Sequence, residues 1–186
     1  MAVPKSVTAR WQSLEGPGLD HLTLSFEEGR VVARGTVIGA RGGMPYGVFY
    51  RVDCDDRWRV REVAIGTAGG QGLHLLSDGN GNWTNGVGEA LERFRGCLDV
   101  DLAGTPFTNT LPIRRLAWQS GTRAELAMLY IPFDSFVPLV DAQVYTCIEP
   151  GRSFLYEAAD RSFSAELTVD ETGLVTEYPP LFTRIL

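Results

Sequence analysis

Apolar and polar positions alternate along much of the chain. Leu22, Leu24 and Phe26 share one side of the stretch 21–27, Glu28-Gly29 supplies a turn, and 30–38 reads as the return strand of a hairpin. The same period of two predicts strands over 48–53, 58–65 and 73–76, parted by the loops "GARGGMPYG", "DCDD" and "GTAGGQG". Strands resume after Leu116: an apolar, central strand over 124–133, then 139–148 and 153–158. Phe163, Ala165, Leu167 and Val169 alternate with Ser164, Glu166 and Thr168 in a clear amphipathic strand. Residues 174–178 complete that hairpin after "DETG", and 181–186 is expected to add a last edge strand. From 87 to 94, apolar Val87, Ala90, Leu91 and Phe94 fit one or two helical turns, with Asn85 as cap and Gly96 as stop. Successive strands on short connections imply antiparallel pairing. An all-β or β-rich class follows, with at most one or two short helices.

One stretch breaks this regularity. In "LDVDLAGTPFTNTLPIRRL" (98–116), Leu98, Val100 and Leu102 alternate with Asp99 and Asp101 as in a half-buried strand; threonines, an asparagine, two prolines and two arginines follow. On a strand the two aspartates point to one side, with Cα atoms ~6.5–7 Å apart. Such a pair can act as acid and base on a glycoside, accept from sugar hydroxyls, or bind Arg114 and Arg115 where the chain turns back. Thr108, Asn109 and Thr110 can fold onto the local backbone, and Pro106 and Pro112 stiffen both ends. A packed polar corner and a ligand-facing cluster are both open on this evidence.

Composition narrows the function classes. With 186 residues, one domain spanning 1–186 is expected, long enough to bury a sizeable core. The net charge of -6 disfavours a phosphate backbone as partner, so no nucleic-acid role is expected. Cys54, Cys97 and Cys147 are far apart and odd in number, which argues against a disulfide framework or a zinc ribbon. The beginning "MAVPKSVTARW" has no apolar signal core, and no run reaches the ~20 apolar residues of a membrane span. These readings predict a soluble, cytoplasmic protein with reduced thiols and no transmembrane segment.

Other motifs carry less. Asp78, Asn80, Asn82, Thr84, Gly86 and Glu89 match the spacing of a calcium loop, but Trp83 stands where the sharp turn needs glycine, so a hairpin turn is expected. Asn82-Trp83-Thr84 is a glycosylation triplet, relevant only to a secreted chain. "GTAGGQG" leads into a strand rather than a helix carrying Lys and Ser or Thr, so it is not a phosphate cradle. His21 and His74 lack metal-pair spacing and there is no G-x-S-x-G, so no metal, cofactor or His-based catalytic site is expected. Arg57, Arg59 and Arg61, if extended, share one face: a solvated face, or a cationic edge for an anionic head group.

The segment "LDVDLAGTPFTNTLPIRRLAW" closely resembles the signature stretch of the putative glycolipid-binding family of bacterial proteins. "LEGPGLDHLTL", "PYGVFYRVDCDDRWRVREVAI" and "FSAELTVDETGLVTEYPPLFTRI" extend the likeness over essentially the whole chain. The resemblance implies a single all-β domain, a spiral β-roll or half-open curved sheet, similar in shape to the lipoprotein localisation factors of the bacterial envelope. It carries over no catalytic residue. It implies a binding protein for a glycolipid or similar amphiphile, with acyl chains on an apolar concave face. Expected head-group residues are Asp99, Asp101, Asn109, Arg114 and Arg115, with Tyr46, Trp58 and Trp118 among the aromatics that can stack on a sugar. Two alternatives stand beside this. One is a carboxylate-dependent hydrolase of a glycan or lipid ester using Asp99 and Asp101. The other is a structural or protein-interaction domain, for which a homodimer through an exposed edge strand fits.

Overall fold

The computed structural model describes residues 5–186, which form an all-β curved sheet. The first half of the chain is an antiparallel meander: β1 (Ser6–Ser13), β2 (Leu19–Glu27), β3 (Arg30–Arg41), β4 (Met44–Asp55), β5 (Val60–Thr67), β6 (Gly72–Ser77) and β7 (Trp83–Asn85). The second half runs β8 (Asp99–Leu102), the helix α1 (Thr110–Arg115), β9 (Arg123–Ile131), β10 (Leu139–Glu149), β11 (Ser153–Ala158), β12 (Ser164–Val169), β13 (Val175–Tyr178) and β14 (Phe182–Arg184).

The 14 strands make one sheet, in the order β7-β6-β5-β4-β3-β2-β1-β14-β13-β12-β11-β10-β9-β8. Each half is therefore ordered as in sequence, and the two halves meet at β1 and β14. β14 is not the edge strand expected from its place in the sequence; it sits in the middle, paired with β13 and β1. The pairing sets Trp11 opposite Arg184 and Ser13 opposite Phe182. Leu14 N–H donates to Leu181 C=O at 2.8 Å just beyond it. Trp11 is fully buried, and its indole N–H donates across this seam to the Val175 carbonyl at 2.7 Å.

The strands curl so that the ends of the sheet face each other over a shared core. Val60, Val63 and Trp83 from one half pack in the same cluster as Val100, Leu102, Leu129 and Ile131 from the other. The sheet stays open, because no ladder joins the end strands β7 and β8. Helix α1 packs inside the curved sheet: Leu111 belongs to this cluster and Ile113 to a second one built on β10–β13.

Three local expectations change. The 87–94 segment is not helical beyond a three-residue 3-10 turn at Glu92–Phe94. The Asn85 side chain accepts from Val87 N–H and Glu89 N–H, Gly88 is left-handed (φ 88°), and Val87 is 82% exposed, so the chain turns rather than coils. β5 starts at Val60 because Trp58 has φ 62° and Asp55 accepts from both Arg57 and Arg59 N–H; the three arginines do not share one strand. Finally, β8 pairs with β9 in parallel. A parallel pair needs a crossover connection, and the odd stretch in the sequence supplies it: the segment after Leu102 holds a 3-10 turn at Pro106–Asn109 and then α1.

If Trp11 pins the seam, Trp11→Ala lowers unfolding free energy by about 3–5 kcal/mol. Trp11→Phe, which keeps most of the ring but loses the N–H, costs about 1–3 kcal/mol. Urea denaturation of the two variants measures both.

Candidate functional site

The crossover explains most of the polar residues in the stretch. Pro106 opens the 3-10 turn, and the Thr105 hydroxyl caps it by accepting from Phe107 N–H at 3.1 Å. Thr108 Oγ1 accepts from Leu102 N–H at 3.3 Å and donates to Asp101 at 3.0 Å. Asn109 donates to the Pro106 carbonyl at 3.1 Å and accepts from the Tyr145 hydroxyl at 2.8 Å. Arg115 grips Asp99 with two bonds, at 2.9 and 2.5 Å. This pair is almost wholly inaccessible (11% and 1% of the side chains exposed). Burial raises the Asp99 pKa, and the Arg115 guanidinium opposes that shift.

Asp101, two residues on, has a different environment. It lines a cavity of about 760 Å³ between the two halves of the sheet. One wall carries Leu19, Val37, Ile38 and Tyr46 from β2–β4; the other carries Leu139, Tyr156, Phe163, Tyr178 and Phe182 from the second half. Leu102, Thr105 and Asn109 of β8 and the crossover close it at a buried end. Leu19, Ile38 and Leu139 are 37%, 56% and 46% exposed and mark the opening.

The polar groups form a connected set. Asp101 accepts from Thr108 through one oxygen and from Gln143 Nε2 through the other, at 2.7 Å. The same Gln143 nitrogen donates to Asp141 at 3.0 Å, and Asp141 also lines the cavity. The Asp101 pKa is raised, chiefly by burial and also by the Asp141 charge, against lowering bonds from Gln143 and Thr108. Arg41 is the one cationic side chain in the lining among the described residues; it donates to the Tyr130 hydroxyl and faces Asp134 at 3.9 Å.

Of the eight residues expected from the sequence, Tyr46, Asp101 and Asn109 come together on this cavity. Asp99 and Arg115 are occupied with each other. Arg114 lies over the Trp58 ring at 5.5 Å, and Trp58 also meets Phe26 edge-on. Trp118 donates to the Ile113 carbonyl at 3.1 Å and packs edge-on against Phe154. None of these five lines the cavity. Asp99 and Asp101 thus share no cleft, as an acid–base pair would need.

Sequence reasoning missed Asp20, Tyr130, Asp141 and Gln143. The last three fall in strands whose apolar partners dominate the pattern. Asp20 sits among core positions of β2 and is 1% exposed. One of its oxygens accepts from Thr105 Oγ1 at 2.5 Å, and Tyr50 contacts the same threonine oxygen at 3.3 Å. Its other oxygen, Oδ1, is buried with no hydrogen-bond partner among the described residues. Burial pushes the Asp20 pKa up to about 7, against lowering bonds from Thr105 and Tyr50.

A second hollow of about 530 Å³ lies against the other face of β2–β5, beside His21, Arg34, Phe49 and Arg51. The Phe49 ring there covers Gly66, where an added Cβ would meet it at 2.1 Å. The remaining motifs are local structure. Asp78 accepts from Asn80 and Asn82 in a hairpin turn, and His74 pairs with Glu62 at 2.8 Å. Among the described residues no three His, Cys, Asp or Glu side chains gather as a metal site, and no helix is long and apolar enough to cross a membrane.

Comparisons place this architecture among known proteins. Residues 8–184 match the model of the family described as "Putative glycolipid-binding". The chain is also similar to a DUF1089 family protein from Pseudomonas aeruginosa known from a crystal structure. The two share 39% identity at a TM-score of 0.78, over 99% of this chain and 94% of that one. No curated protein matches the sequence.

Asp20 makes stability depend on pH. Its folded-state pKa of about 7 lies above the ordinary 3.8. Between those values the folded state holds a proton that the unfolded state has lost, so its stabilisation falls as pH rises and is gone above the folded pKa. Asp20→Asn, which cannot ionise, gains on the parent protein by roughly 2–4 kcal/mol between pH 5 and pH 8. Urea midpoints of both proteins at the two pH values test this; an equal difference at both would contradict it.

Proposed function

The chain belongs to the family described as "Putative glycolipid-binding", and for this member we propose that the cavity between the two sheet halves binds an amphiphile. The observation that carries the reading is its two-sided chemistry. Acceptors and hydroxyls (Asp101, Asn109, Tyr46, Tyr130) lie within the same space as apolar walls (Leu19, Ile38, Leu139, Phe163), and that space opens to solvent between apolar residues. A volume of about 760 Å³ is ordinary for a small-molecule site.

The head group meets the crossover end. Asp101 and the Asn109 amide offer oxygens to hydroxyl donors, and the Tyr46 ring flanks them. Two glycines leave room for the Tyr46 hydroxyl: an added Cβ on Gly39 would meet it at 2.8 Å, and one on Gly104 at 3.0 Å. A side chain on Gly39 would displace the Tyr46 ring, and one on Gly104 would first meet the Phe133 ring, at 2.6 Å. The apolar part of the ligand lies along the Leu19–Ile38 and Leu139–Phe163 walls, where water is released on contact.

Binding of dodecyl maltoside below its micelle concentration, followed by calorimetry, tests the reading. Asp101→Asn weakens it about tenfold or more, because a charged acceptor is lost. Leu139→Trp, which fills the opening without touching the core, abolishes it. Arg114→Ala, outside the cavity, leaves it within about twofold. Equal binding by the parent protein and Leu139→Trp would contradict the assignment.

A further inference from the structure

The charge of the lining restricts the head group. Asp101 and Asp141 converge on one Gln143 nitrogen, at 2.7 and 3.0 Å, so a single neutral amide bridges two acids. Gln143 is 1% exposed, and the two carboxylates, which can only accept, face its nitrogen and so fix which way the amide points. Both carboxylates border the cavity, and each has acceptor capacity beyond its bond to Gln143. The one guanidinium in the lining among the described residues, Arg41, is 48% exposed, donates to Tyr130 and faces Asp134 at 3.9 Å, and Arg115 is closed around Asp99. An anionic group placed beside Asp101 therefore meets two carboxylates, with Arg41, already bonded to Tyr130 and facing Asp134, as the one cation in the lining among the described residues to offset them, whereas a hydroxyl or a protonated amine meets acceptors.

We propose that Asp101, Gln143 and Asp141 form a charge filter, so that the cavity accepts heads bearing hydroxyls or a protonated amine and rejects phosphate and sulfate heads. The inference rests on the amphiphile-binding reading and adds the class of head group. Asp141 is its specificity determinant. Thr108 and Gln143 hold Asp101 in place, while among the described residues Asp141 has only the Gln143 amide as a hydrogen-bond partner on its side chain. Replacing Asp141 by asparagine keeps an oxygen for Gln143 and removes one charge.

The experiment compares dodecyl maltoside, dodecylamine and dodecyl phosphate, each monomeric, at pH 7.5 by calorimetry. The parent protein is expected to bind the maltoside and the amine at least tenfold more tightly than the phosphate. Asp141→Asn narrows the gap between phosphate and maltoside at least fivefold, by gaining phosphate binding. That gain cannot come from misfolding, and maltoside binding by the variant reports an intact cavity. Phosphate binding within threefold of maltoside by the parent protein overturns the filter but leaves the cavity assignment standing. An unchanged gap in Asp141→Asn overturns the role of Asp141. Failure of all three amphiphiles to bind overturns the cavity reading and the filter together.

Discussion

The antiparallel pairing of β1 with β14 joins the two ends of the chain, and the rest of the architecture hangs on it. Every other neighbour in the sheet is also a neighbour in sequence, so each half can be ordered by its own turns. The seam cannot. It closes the longest loop in the molecule, and the entropy of that closure must be met by what forms there. Buried Trp11, with its indole bonded to Val175, supplies both apolar area and a bond that would be costly to leave unmade. With the seam closed, β2–β4 and β10–β13 become opposite walls of one hollow, and the cavity exists only in that arrangement.

The crossover from β8 to β9 is the second constraint. It replaces a hairpin with a 3-10 turn and α1, and threads polar side chains through the interior. Those side chains divide by where they point. Asp99 and Arg115 neutralise each other out of reach of solvent, an arrangement in which removing one partner is far more damaging than the pair is stabilising. Asp101 and Asn109 are just as firmly held but border open space. The same bonds that shape the crossover therefore hold the groups of the proposed site in place, so a ligand bound there would not have to order them. Asp20 reaches the crossover from the opposite wall through Thr105, and burial, which pushes its pKa up to about 7, makes that contact sensitive to protons near neutrality.

Much of the sheet was legible because one face of each strand is buried. Residues 164–169 alternate as the sequence says, and the hairpins follow their glycine turns. What escaped depends on distant partners. Val7, Ala9 and Trp11 alternate with Thr8 and Arg10 in β1, a pattern present in the sequence but unread, and nothing local says that its partner is the C-terminal strand. The parallel pairing of β8 was hidden for the same reason. In the candidate site, Asp101, Asn109 and Tyr46 could be singled out by residue type, but whether a carboxylate faces an arginine or a cavity is decided by the crossover geometry. Asp141 and Gln143, 40 residues or so downstream, carried no signal until β10 was placed beside β9 and β8.

The most direct test of the central claim, that the space between the two halves is the binding site, is an amide chemical-shift titration of the isotope-labelled protein with monomeric dodecyl maltoside. The account predicts saturable shifts concentrated on Ile38, Arg41, Tyr46, Asp101, Asn109 and Leu139, which meet only at this cavity. Shifts confined to Thr23, Arg34, Phe49 and Ala64, the hollow on the other face of the sheet, would contradict it.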